Sequence, residues 1–305
     1  MIIYADGRQL PSGAPLPKEA AQAIYFIEIK DLEKDAKTLG MEHLLIPPVD
    51  ESAANRFESR QGFDCILLNI PDETEDIEAP PVNIDLYYSA NRILIVHDPM
   101  PAVDRLRTRL STPDMEPPLA FEQVLYTFFN YLTEKDSLYL EGMEEAIAEL
   151  EDDIAADMRE AYLLQISTLR KKLLKKKRYF ESLLAALEDM EENENKLLTG
   201  EQLRYFHIIT NRVERQFHSV LNLRDYVTQV REAYQAQIDI SLNKTMKLFT
   251  VITAIFLPLT LLVGWYGMNL SMPEYQYPYS YPILIAFSLM IVIGCIAYFK
   301  RNKWF

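Results

Sequence analysis

Tyr266-Gly267-Met268-Asn269 ends a run, Leu248 to Tyr266, that contains no Asp, Glu, Lys, Arg or His. A second uncharged run follows at Pro282 to Phe299. Each has the roughly 18–20 apolar residues that a helix needs to cross a bilayer core of about 30 Å. Core helices of soluble domains rarely stay uncharged over such a length. The pattern predicts two membrane-spanning helices near the C-terminus, joined by a short polar-capable turn on one face of the membrane.

Charge sets the orientation. Lys244 and Lys247 precede the first run, and Lys300, Arg301 and Lys303 follow the second, while the segment 267–281 has no Lys or Arg. The excess of basic residues on the cytoplasmic side of membrane proteins puts both termini in the cytoplasm and the connection outside, in a multi-pass protein of the cell membrane. Tyr275, Tyr277, Tyr279 and Tyr281 then belong at the outer interface and Trp304 at the inner one. Met1–Asp6 has neither the apolar length nor the basic flank of a signal peptide. The formal net charge is −14 over 305 residues, which disfavours a nucleic-acid partner. Cys65 and Cys295 fall in a predicted strand and a predicted span, so no disulfide is expected between them. The nine glycines are scattered singly, with no phosphate-cradling loop and no G-x-G-x-x-G. No paired Cys/His motif and no nucleophile–base arrangement stands out. The chain is not expected to be an enzyme, no catalytic residue is assigned, and no resident cofactor is implied.

Upstream of the spans, residues 1–120 alternate short β-like runs with helical ones. Ile24–Ile29, Phe63–Ile70 and Arg92–His97 read as strands, and Asp31–Leu39 and Pro99–Leu110 as helices. The acidic, proline-flanked stretch Asp72–Glu78 reads as a loop. From Phe121 helix formers dominate. One helix to about Ala155 and another from about Met158 to Glu192 form an antiparallel hairpin. In it Glu141, Glu144 and Glu145 are expected to face Arg170, Lys171, Lys172 and Lys175. A lipid or nucleotide patch is the other reading of that basic run. After Gly200 no Gly or Pro interrupts the pattern until Pro258, so a single helix on the order of 90–100 Å long is predicted. The fold class is therefore an α/β cytoplasmic domain with a long-helix stalk and two C-terminal transmembrane helices. The segments are an α/β domain (1–120), a hairpin (121–200), a stalk (201–245), spans (246–266 and 282–299) around an extracellular loop (267–281), and a basic tail (300–305).

With a repeat of 3.5, Asn211, His218, Asn222, Asp225, Gln229, Glu232, Ala236 and Asp239 share one face of the stalk. Val213, Phe217, Val220, Val227, Val230, Tyr234 and Ile238 share another. Alone, the polar stripe is the solvated side of an amphipathic helix. In the same register, however, it runs on as Asn243, Met246, Thr250, Thr253, Leu257, Thr260 and Gly264. Every threonine of the first span and its one glycine lie on that line. Lipid does not select hydroxyls, whereas helix contacts or a water-filled lumen do. Two readings follow: a face lining a continuous path, or a Thr/Gly packing seam. A single chain with two spans encloses no pore, so a path requires several copies around an axis.

Gly267-Met268-Asn269, after Trp265-Tyr266 and before Met272-Pro273-Glu274, resembles the CorA family of divalent-cation channels. The likeness extends upstream through Asn243-Lys244 and Ile255–Thr260, and downstream to Tyr298–Trp304. The resemblance implies a homopentamer that carries Mg2+, with Co2+ or Ni2+ as other ions. It implies an entrance filter of Gly267, Met268 and Asn269, with Asn269 holding hydrated Mg2+ through outer-shell contacts. A ring of amide oxygens suits an ion that dehydrates reluctantly. It places Glu274 in a loop that draws cations in, although only Leu270 and Ser271 separate the two motifs, where three residues are common. It aligns Leu257 and Met246 with apolar constrictions. Asp225, Glu232 and Asp239 become acidic rings of a cytoplasmic funnel, and Lys300, Arg301 and Lys303 a basic collar. Family members close on divalent ions held by cytoplasmic carboxylates, making Mg2+ both cargo and gating ligand. Here Tyr205-Phe206 is followed by His207-Ile208, without an acid. His207, Asn211, Glu214 and His218 share a face that suits Zn2+, Co2+ or Ni2+. The expected partners are copies of the chain, membrane lipid and divalent cations. The alternatives are a zinc transporter of the same family and a non-conducting membrane scaffold or sensor.

Overall fold

The computed structural model describes residues 2–5, 8–10, 22–32, 56–71, 80–111, 120–156, 161–269, 272–302 and 304. The expected loop Asp72–Glu78, most of the expected helix Asp31–Leu39, Leu270, Ser271 and Lys303 lie outside those residues. The chain divides into two compact units, Met1–Arg231 and Glu232–Phe305.

The first unit contains a seven-stranded sheet. Its strands are β1 (Ile2–Ala5), β2 (Arg8–Leu10), β3 (Ala23–Glu28), β4 (Arg56–Arg60), β5 (Phe63–Ile70), β6 (Val82–Tyr88) and β7 (Arg92–His97). They lie in the order β2-β1-β3-β7-β6-β5-β4, with only β3 and β7 parallel. Alternation sends Tyr25, Ile27, Cys65, Tyr87, Leu94 and Val96 to one face, where they form a buried cluster. The opposite face buries Phe26, Ile66, Leu68, Leu86 and Ile95. Helix α1 (Pro101–Ser111) buries Ala102, Val103 and Leu106, and the Tyr4 hydroxyl donates to the Arg107 carbonyl at 3.1 Å. Gly62, at φ 85°, closes the two-residue turn between β4 and β5.

Three of the sheet's strands match the sequence reading within a residue at each end. The other four, β1, β2, β4 and β6, are not in the sequence reading. β6 alternates Val82, Ile84 and Leu86 with Asn83 and Asp85, a half-buried strand pattern bounded by Pro81. β4, Arg-Phe-Glu-Ser-Arg, is an edge strand whose charges protect an open edge, so its composition reads as loop.

The helices of this unit are α2 (Phe121–Thr133), α3 (Asp136–Ala156), α4 (Ala161–Glu192) and the first part of α5 (Gly200–Tyr266). The single helix expected from Phe121 to Ala155 is two. Gln216 of α5, itself buried, donates its amide to the Thr133 carbonyl at 3.2 Å. Carbonyls of a helix's last turn lack helical donors, so this one is answered by a side chain, and the next helix starts at Asp136. Each of the following helices carries a seam with three- and four-residue steps. In α3 it is Leu140, Met143, Ile147, Leu150 and Ile154. In α5 it is Phe206, Ile209, Val213, Gln216, Val220, Leu223, Val227 and Val230. The seam of α4 includes Lys176, only 3% exposed, whose ammonium donates to Asp136 at 2.9 Å. It also lies 4.6 Å from the Tyr139 ring centre. A buried pair of this kind sets register more than stability.

Glu141, Glu144 and Glu145 were expected to face Arg170, Lys171, Lys172 and Lys175, and two cavities show where some of these charges lie. Glu141 and Glu144 line a cavity with Arg212 and Arg215 of α5. Arg170 and Lys171 line a separate groove with Arg224, Asp225 and Arg231 of α5. The long helix therefore separates the two charge sets. The α4–α5 connection is pinned by Asn195, whose amide donates to Asp64 and to the Arg60 carbonyl, both at 2.6 Å.

The second unit contains the rest of α5, a 3-10 turn (Pro273–Gln276) and α6 (Ser280–Arg301). Helices α5 and α6 are long and apolar enough to cross a membrane. Cys65 and Cys295 are free thiols. Burial pushes the Cys65 thiol up to about 12, so it remains protonated and unreactive.

Candidate functional site

The two faces of the first span differ in what covers them. Val251 is buried, and Ala254, Ile255, Pro258, Leu259 and Leu262 are partly covered. On α6 the covered residues are Leu284, Ser288, Ile291, Val292, Cys295 and Phe299. These recur at helical spacing and mark the contact between the spans. Pro258 has no N–H, so it leaves the carbonyl of Ala254, four residues earlier, without its helical donor. The Cys295 thiol lies 3.8 Å from that carbonyl and donates to it. The proline, the freed carbonyl and the cysteine fix how the spans meet.

Within the first span, the predicted polar stripe lies on the side that α6 leaves open. From His218 to Gly264 each position of the stripe is exposed, Asn243, Met246, Thr250, Thr253, Leu257, Thr260 and Gly264 included. Thr253, Leu257, Thr260, Gly264 and Met268 line one shallow groove. Met246, Thr250, Thr253 and Leu257 line a second that adjoins it. On the apolar face of α5, Val213, Val220, Val227, Val230 and Tyr234 are buried and Phe217 and Ile238 are half-buried.

The hydroxyls have a defined polarity. Thr250, Thr253 and Thr260 donate to the carbonyls of Met246, Phe249 and Phe256, each at 2.8 Å. A hydroxyl whose proton is committed to the backbone offers only lone pairs outward. The stripe is therefore a ladder of hydrogen-bond acceptors separated by the apolar Met246 and Leu257. Waters bound to a cation point their protons outward, and such acceptors suit them.

At the end of the span, the Gly267 amide donates to the Val263 carbonyl at 2.8 Å. A Cβ on Gly267 would meet that same oxygen at 2.8 Å, closer than real Cβ atoms approach. Glycine is thus required where the helix gives way to Met268 and Asn269, both exposed. Gly264 faces open space instead. Glu274 is exposed at the 3-10 turn, and its carbonyl accepts from the Tyr277 amide at 3.2 Å. Tyr277, Tyr279 and Tyr281 are exposed beside it.

Of the residues expected on the cytoplasmic side, Glu232 and Asp239 are exposed on the stripe, Asp225 lines the groove beside α4, and Lys300 and Arg301 are exposed at the end of α6. The proposed metal face on α5 does not assemble. Among the described residues no three His, Cys, Asp or Glu side chains converge as metal ligands. The Asn211 amide donates to the His207 carbonyl instead. His207 Nδ1 lies 3.2 Å from Glu191, which also accepts from the Thr210 hydroxyl. The acid beside His207 thus comes from the end of α4 and not from the stretch after Tyr205-Phe206.

The model of the CorA-like Mg2+ transporter protein family matches residues 21–301. The chain belongs to the CorA family. It is 29% identical over 273 residues to the cobalt/magnesium transport protein CorA of Methanocaldococcus jannaschii, covering 84% of this chain and 81% of that one. The complete structure of the CorA magnesium transporter from the same organism superposes with a TM-score of 0.84 at 22% identity, covering 100% of this chain and 98% of that one. The full-length CmaX protein superposes at 0.74 with 18% identity, covering 99% and 97%. These likenesses support the fold: an N-terminal α/β domain, a long helix and two apolar C-terminal helices. The CorA family consists of divalent-cation transporters of the membrane.

Proposed function

We propose that the chain forms a homo-oligomeric channel, a pentamer by family likeness, through which Mg2+ passes into the cytoplasm. The observation that carries this reading is the uncovered acceptor ladder on the first span, opposite the face that packs on α6. Copies arranged around an axis turn Thr250, Thr253, Thr260 and Asn243 toward a shared lumen, with Met246 and Leu257 as narrow apolar rings that gate by dewetting. The ion stays hydrated, because every acceptor offered is neutral and weak. Asn269 meets it first through its amide oxygen, held over the axis by the Gly267 turn. Glu274 raises the local cation concentration outside. Glu232 and Asp239 attract the ion on the cytoplasmic side, and Lys300, Arg301 and Lys303 surround the inner end. Mg2+ is the gating ligand as well as the cargo.

Transport needs no chemical energy source. A divalent ion entering a negative interior gains about 4.6 kcal/mol per 100 mV. Both termini are cytoplasmic in this arrangement, in the cell membrane.

Flux into liposomes containing the purified protein tests the proposal. A Mg2+-sensitive dye should report uptake that follows the imposed potential and is blocked by cobalt hexaammine, which mimics the hydrated ion. Uptake no faster than into empty liposomes would favour a scaffold. Zn2+ uptake driven by a proton gradient would overturn the ion assignment.

A further inference from the structure

Seven of the nine residues from Arg170 to Arg178 are Lys or Arg, in a chain of net charge −14. Their partners divide them. Lys176 is buried against Asp136, and Lys177 pairs with Glu181. Arg170 and Lys171 turn instead to a groove of about 400 Å3 between α4 and α5. Arg224 and Arg231 enter the same groove from α5, and among the described residues Asp225 is its only carboxylate. Its lining therefore holds four cations and one anion, net +3. None of Arg170, Lys171, Arg224 or Arg231 forms an ion pair among the described residues. Arg224 is half-buried, so its guanidinium has lost part of its hydration without gaining a carboxylate among the described residues.

Like charges gathered in a concave space repel and raise the energy of the unliganded protein. An anion relieves that repulsion. Guanidinium forks match phosphate oxygens two at a time, and a lysine adds a compact charge. The groove is larger than one phosphate group. Leu163 and Leu174, 48% and 39% exposed, supply an apolar rim beside the cations. Neither feature suits a small inorganic ion alone.

We propose that this groove binds a phosphate-bearing organic anion through Arg170, Lys171, Arg224 and Arg231, with its apolar part against Leu163 and Leu174. Nucleoside polyphosphates and phospholipid headgroups share that chemistry. The groove is built from a single chain, so the proposal does not depend on the number of subunits. Nor does it depend on the ion that the spans carry.

Isothermal titration of the full-length protein in phosphatidylcholine nanodiscs, in buffer with EDTA and no Mg2+, tests it with ATP and inorganic pyrophosphate as probes. ATP should bind saturably, once per chain, more tightly than pyrophosphate and more weakly as salt rises. Arg224→Gln with Arg231→Gln should raise Kd at least tenfold. Asp225→Asn, which removes the one opposing charge, should lower it several-fold, a gain that misfolding does not produce. Nanodiscs with 20% phosphatidic acid distinguish the sources. Loss of ATP binding there, restored by dilution of the acidic lipid, assigns the groove to a headgroup; unchanged binding assigns it to a free phosphate compound. The proposal is overturned if neither ATP nor acidic lipid binds, or if binding ignores both sets of substitutions. It is equally overturned if the Arg→Gln variants change only the oligomer mass, which would make the groove a seam for the acidic helix α3 of another copy.

Discussion

Thr253 shows how one residue serves two masters. Its proton goes to the Phe249 carbonyl, which satisfies the hydroxyl inside an apolar helix. Its lone pairs remain for an outside donor. Valine has the same shape and lacks the oxygen, so Thr253→Val leaves the helix intact and removes one acceptor per copy. Mg2+ flux into liposomes should fall several-fold in Thr253→Val and stay near the parent rate in Thr253→Ser. Equal rates in the two variants would assign the stripe to packing. The position was legible in the sequence, because a repeat of 3.5 places every threonine of the span on one line. The direction of its hydrogen bond was not, since it depends on the carbonyl four residues back. Glu191 was illegible for a related reason. It meets His207 only because α4 and α5 run side by side.

At the scale of elements, the contact between the spans turns on Pro258. Sequence reading identifies the proline and the freed carbonyl, but not the thiol that answers it from α6. An unanswered carbonyl costs about 1–3 kcal/mol where water does not reach it. Cys295→Val should therefore lower the thermal midpoint of the detergent-solubilised protein by a few degrees, and Cys295→Ser should restore it. The sheet makes a different prediction. Asp85 of β6 lies in register with Leu67 and Val96, beside the apolar cluster. Burial raises its carboxyl to about 6, with Arg56 opposing and Asp98 assisting. Unfolded, the group titrates at about 3.9. The folded state thus holds the proton more tightly, and the stabilisation is fully present below the unfolded value and lost as pH rises through about 6. Asp85→Asn should melt higher than the parent at pH 7, with the gap narrowing as pH falls through about 6 and closing only below about 3.9. A gap independent of pH would show that the effect is not titration. The strand that carries Asp85 went unread because Asn83 and Asp85 dilute its apolar residues to every second position, whereas β5 and β7 present near-continuous apolar runs.

For the molecule as a whole, the question is what meets the open side of the first span. One chain supplies only α6, and α6 takes the face of Val251, Ala254 and Pro258. Gly264 separates the remaining candidates. Beyond its own helix backbone, none of the described residues lies within 4 Å of a Cβ placed there. Leucine is also the better helix former, by about 0.8 kcal/mol. Gly264→Leu should leave the fold, the thermal midpoint and the subunit number by native mass spectrometry unchanged. Against lipid the new side chain would be harmless, and Mg2+ flux would persist. Around a shared axis it would add one isobutyl group per copy just below the Gly267-Met268-Asn269 turn, and flux should fall at least tenfold with assembly intact. Loss of assembly together with loss of flux would instead identify Gly264 as part of a close helix–helix seam. Gly294 provides the control, since it too faces open space in the single chain but lies on the second span. Gly294→Leu should conduct normally, because an axis lined by the first span leaves the second toward lipid.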